Sequence, residues 1–217
     1  MTDSFSRWVD AAFDHRVGGP EWYWGPELDS TWGALETSDS VTVDYLTQLF
    51  QQPSCLRKYS LDQVAQGIWF LIGEASPAQP SYALIRSTVP LEARIACVRS
   101  IVTFFKEFVS VVAPGPAKAD SDPFHTACYM WWDIFPCWGG ANCGEQALHR
   151  ACLDTLAEIL AIPSELCRLS ALHGLNHWHL HYPNEVEKTI DAFLNDTPES
   201  ATSLWTYAAA ARHGCAQ

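Results

Sequence analysis

Along almost the whole chain, apolar residues recur three and four positions apart, and a proline or glycine closes each run before the next begins. That period lines up side chains on one face of an α-helix, whereas a half-buried strand alternates at every second residue. Strand-like alternation is almost missing, so the expected fold class is all-α, with about nine helices marked off by their stop signals.

The first stripe is Phe5, Trp8, Val9, Ala12 and Phe13, stopped by Gly18, Gly19 and Pro20. A second runs from Val41 to Phe50, with Pro53 beyond it. Ser60 and Gln63 have the spacing of a capping box, in which each side chain satisfies a backbone N–H that helix geometry leaves unpaired. Val64, Ile68, Trp69, Leu71 and Ile72 then form the expected inward face. Pro90 opens the longest helix, where a fixed φ and a missing donor do no harm. Its stripe, from Leu91 through Ile95, Val98, Ile101, Phe105 and Phe108 to Val112, marks it as the central helix.

Asp122 and Pro123 begin a helix that passes Tyr129 and Trp132 and stops before Pro136. Helices at about 145–161, 164–181, 184–194 and 199–212 follow, and their short connections make antiparallel neighbours. The stretch 113–123, APGPAKADSDP, can continue neither flanking pattern. The chain therefore reads as a single domain, 1–217, with 1–112 and 124–217 as subdivisions if that stretch is a linker. Residues 21–33, EWYWGPELDSTWG, read as an irregular loop because Pro26 and the glycines interrupt any regular element.

Thirteen basic against 25 acidic residues give a formal charge of -12. Such a surface repels a phosphate backbone and offers no footprint for nucleic acid, while a basic protein partner or simple solubility fits it. No run approaches the roughly 18 apolar residues of a membrane span, and the acidic start lacks the pattern of a secretory signal. The eight cysteines fall mostly within helical apolar patterns. They read as reduced, buried thiols of a cytoplasmic protein.

The last four helices form two successive hairpins. Ala171 and Gly174 in SALHGLNHW allow close helix contact, and Val186, Ile190, Phe193 and Leu194 share one face of the next helix. In these features the C-terminal third resembles HEAT or armadillo repeat proteins, and the resemblance implies a curved stack of helix pairs that presents a binding surface. An irregular helical bundle accounts for the same segments.

His173, His177 and His181 lie four apart on one side of a helix. Imidazoles in this pattern suit zinc, with His149, Cys143 or a water completing the set. The outer pair is roughly 12 Å apart at about 1.5 Å per residue, so one adjacent pair is the most that a single ion can use. In the zinc motif HExxH a glutamate follows the first histidine as general base; here Gly174 stands there. The plainer role for such histidines is to interact with the carbonyl end of the helix dipole or to hydrogen-bond within the core. Nucleotide loops, a GxSxG elbow and paired helical carboxylates are all missing, so no cofactor is expected and binding outweighs catalysis.

Two aromatic groups, Trp22, Tyr23, Trp24 and Trp32, and Trp131, Trp132 and Trp138 near Tyr129, are candidate interface anchors. Neighbouring Trp131 and Trp132 cannot both point the same way on a helix, which leaves at least one to reach a groove, a neighbouring loop or a partner. Asp133, Glu21 and Glu27 are placed to supply an acidic rim for a cationic ligand. Large rings that plug an irregular core are the alternative. Three functions follow: an acidic helical interaction module, of inhibitor or immunity type, that covers a basic partner; a metal- or cysteine-dependent enzyme around His173, His177 and Cys143; and a small-molecule binder with an aromatic-lined cavity.

Overall fold

The computed structural model describes residues 3–35, 37–73, 77–137, 145–197 and 202–216. Eleven α-helices follow in chain order: α1 (Ser4–Phe13), α2 (Glu27–Thr31), α3 (Asp39–Gln51), α4 (Leu61–Ile72), α5 (Leu91–Phe104), α6 (Ser110–Val112), α7 (Pro123–Tyr129), α8 (Gln146–Leu160), α9 (Glu165–Trp178), α10 (Pro183–Asp196) and α11 (Thr202–Ala211). The described residues contain no β-strand. The fold is all-α.

Local chemistry sets the helix starts. Ser60 Oγ accepts from the Gln63 N–H at 3.2 Å, and Gln63 Oε1 accepts from the Ser60 N–H at 3.0 Å, which completes the capping box ahead of α4. Asp122 accepts from the N–H groups of Phe124 and His125 at 3.0 and 3.1 Å, so two donors at the start of α7 are satisfied at once. A π turn, Phe105–Val109, joins α5 to α6 and makes the run from Leu91 to Val112 continuous.

Three sequence expectations are corrected. Residues 21–33 are not irregular: a 3-10 turn covers Trp22–Trp24, and Pro26 caps the start of α2, where its fixed φ suits a helix entry. On α4 it is Phe70 that is buried, while Trp69 is half-buried. The expected helix 164–181 ends at Trp178, so His179 and His181 lie in the turn that leads to Pro183.

α5 packs between α3 and α8, and α9 packs against α7, α8 and α11. At the centre, the rings of Phe50, Phe104 and Phe105 stand 5.6, 5.2 and 5.4 Å from that of Trp131. One buried cluster runs from Phe5 to Ala211 and spans both sides of 113–123. That stretch is tied down: the Lys118 N–H donates to His125 Nδ1 at 2.9 Å, and the Ala117 N–H to Glu165 at 3.3 Å. Cys97, Cys128 and Cys167 are buried. Burial pushes the Cys97 thiol up to about 12 and Cys167 up to about 11, so both stay protonated and inert. No helix among the described residues is long and apolar enough to cross a membrane.

Candidate metal centre

One turn apart on α9, His173 and His177 bring their Nε2 atoms to 3.2 Å, with the two rings nearly perpendicular at 88°. Asp133 reaches the same point from the end of the Met130–Trp132 turn, with Oδ1 3.2 Å from His177 Nε2. The three donor atoms lie within 4.8 Å of one another, the one such group of histidine, cysteine or carboxylate donors among the described residues.

Gly174 explains how Asp133 gets there. A Cβ at this position would lie 2.8 Å from Trp132 Cβ and 2.7 Å from Leu156 Cδ2. Only a glycine lets α9 lie this close to the Met130–Trp132 turn, and that contact delivers the next residue, Asp133, to the histidines.

Behind the donors runs a hydroxyl relay. His173 Nδ1 meets the Tyr207 hydroxyl at 2.8 Å, and Tyr207 meets the Tyr129 hydroxyl at 2.9 Å. The Tyr129 ring lies 4.1 Å from the His173 imidazole. When Tyr207 donates to Tyr129, it accepts from His173 Nδ1–H, and His173 Nε2 then presents a bare lone pair to His177 and Asp133. This is how metal-binding histidines are commonly fixed, by a partner on the other ring nitrogen.

His173 is buried, whereas the side chains of His177 and Asp133 are 34% and 38% exposed. The centre thus has a closed floor and an open front. Burial, aided by the neighbouring His177 and opposed by Asp133, lowers the His173 pKa to about 4, so the ring is neutral at pH 7. Burial and the hydrogen bond to Tyr129 push the Tyr207 phenol upward and keep it a neutral hydroxyl.

Nitrogens 3.2 Å apart suit two ligands of one ion. With bonds of about 2.0–2.1 Å at tetrahedral angles, neighbouring donor atoms stand roughly 3.3 Å apart. Two imidazoles and a carboxylate would leave at least one position of a four-coordinate ion for a water.

The remaining sequence candidates lie elsewhere. His149 is buried apart from the centre, with Nδ1 on the Tyr182 hydroxyl at 2.8 Å and its ring edge-on to Trp178. His179 contacts Glu187 at 3.4 Å, and His181 is exposed. Trp138 and Cys143 lie outside the described residues. Trp131 and Trp132 are 1% and 0% exposed, so the expectation that they anchor an interface is corrected: both fill the core.

Of the early aromatic group, Trp22 is buried, stacked 3.7 Å from His15, and Tyr23 is buried beside Phe70. Trp32 is half-buried against Phe70, and Trp24 alone of the four is largely open, at 58%. From the sequence Asp133 belongs to an acidic rim, and neither Tyr129 nor Tyr207 has a part in the centre. Their meeting is tertiary, between residues 78 positions apart.

Comparison of the chain with family models, curated proteins and solved structures returned no match.

Proposed function

We propose that this protein binds a divalent transition-metal ion of the zinc class through Asp133, His173 and His177. The observation that carries the reading is the convergence of two imidazole nitrogens and a carboxylate within 4.8 Å of one another, with His177 Nε2 3.2 Å from each of the other two and the His173 ring already neutral and held from behind by Tyr207. Two nitrogens and one oxygen suit zinc and its first-row neighbours better than calcium or magnesium, which favour oxygen alone. A bound ion with a coordination position open to solvent supplies a polarised water or a Lewis acid. With glycine at position 174, the general base of HExxH has no counterpart on α9, so metal binding is the function proposed and no reaction is assigned.

An acidic docking module for a basic partner, built on HEAT-like hairpins, is the reading that charge favours. With Trp22, Trp131 and Trp132 in the core, its support is the charge of -12 and the exposed Trp24.

Untagged protein, stripped with a chelator and titrated with Zn²⁺ and Co²⁺ under reducing conditions, tests the proposal. One ion per chain is expected, with weak visible cobalt bands and no thiolate charge-transfer band; His177→Ala and Asp133→Asn each lose it. No binding of either ion, or a charge-transfer band that assigns the ion to cysteine, overturns the reading.

A further inference from the structure

Away from the imidazoles, a cavity of about 510 Å³ lies between residues 17–24, α4 and the start of α7. Its size falls within the roughly 300–1,000 Å³ of small-molecule sites. Tyr23, Trp24 and Trp69 supply its aromatic lining. The charged residues that line it are Glu21 and Asp62, both carboxylates.

The local sequence builds this arrangement. Asp62, Gln66 and Trp69 are spaced four and three apart, so one face of α4 carries a carboxylate, an amide and an indole in a row. Opposite, the Trp22–Trp24 turn buries Trp22 against His15 and Phe70, which anchors the turn and leaves Trp24 58% exposed beside Tyr23, ring centroids 5.9 Å apart. Burial and the nearby Glu21 push the Tyr23 phenol up to about 12, so its ring stays neutral.

Anions are disfavoured by the two carboxylates, and a purely apolar ligand would leave those carboxylates without a role. A metal ion needs converging donors, and neither Glu21 nor Asp62 belongs to a three-donor group among the described residues. Electron-rich ring faces beside carboxylates are the established means of holding an alkylated ammonium, which is too bulky for tight hydration and is attracted to the ring quadrupole.

We infer that the cavity formed by Tyr23, Trp24 and Trp69 with Glu21 and Asp62 is a binding site for a methylated ammonium group. The group is carried either by a small quaternary amine or by a methylated lysine side chain. The site is independent of the metal centre.

Calorimetric titration of the full chain with choline, with a short trimethyllysine peptide, and with 3,3-dimethylbutan-1-ol, the neutral isostere of choline, tests the inference. Saturable binding of choline or the peptide is expected, with the isostere at least about tenfold weaker and Trp24→Ala weakening the cation by about 3- to 30-fold, the range of ring–cation contacts. Trp24 is exposed, so the variant keeps its fold, checked by circular dichroism; Asp62→Asn is the second variant and weakens the same ligand. Tighter binding of the peptide assigns the source to a protein side chain, and tighter binding of choline to a free amine. Failure of both cations to bind, equal binding of the isostere, or an unchanged affinity in both variants overturns the inference.

Discussion

His149 and His173 begin alike and end differently. Each is buried, and each meets a tyrosine hydroxyl through Nδ1 at 2.8 Å, Tyr182 in one case and Tyr207 in the other. At His149 the ring stands edge-on to Trp178 and packs as part of the core. At His173 the opposite nitrogen faces a second imidazole and, beyond it, a carboxylate at the surface. At His173 that hydrogen bond aims a lone pair at the neighbouring donors. What sets His173 apart is Asp133, which tertiary structure brings to the helical pair of His173 and His177.

The largest expected effect separates the two outright. His177→Ala lowers zinc affinity by more than about 100-fold, beyond the range of outer-shell losses, while His149→Ala leaves that affinity within about twofold, both read by competition with a chromogenic chelator. Equal losses in the two variants would erase the distinction.

Next in size are the tyrosines. Tyr207→Phe removes the group that orients His173 and is expected to weaken metal binding by about 10- to 100-fold. Tyr182→Phe leaves the metal alone and lowers stability by about 1 kcal/mol, the net value of one hydrogen bond, in urea unfolding of the metal-free protein. An unchanged affinity in Tyr207→Phe would reduce that hydroxyl to the role of its counterpart.

A subtler change sharpens the contrast from the backbone side. Gly174→Ala forces a Cβ against Trp132 and Leu156. It is expected to cost about 1–3 kcal/mol of stability, as overpacking does, and to weaken zinc binding through displacement of Asp133. The His149–Tyr182 pair, followed by the ring resonances of His149, stays as it is.

Much of this was legible in the sequence because it depends on near neighbours. The capping box at Ser60, the proline-led start at Pro90 and the pairing of His173 with His177 all follow from helical spacing, and Gly174 was recognisable as a point of close contact. Asp133 was not assignable to the histidines, since no local rule links position 133 to position 173. Trp69 shows the limit from another side: its place in the α4 stripe is inward, yet Phe70 occupies the core beside Trp22 and Trp32, and Trp69 is displaced to the cavity rim. Arg94 on α5 is a buried charge with no local signal for its burial, and Glu145 meets it at 2.9 Å from the threshold of α8.

The bare backbone at position 174 ties distant parts of the chain to a common fate. Trp132, Leu156 and residue 174 fit as one lock, so a side chain at 174 demands smaller neighbours at 132 and 156. Homologous chains that share the Asp133, His173 and His177 cluster should therefore keep glycine at 174, whereas the exposed faces of α10 drift freely.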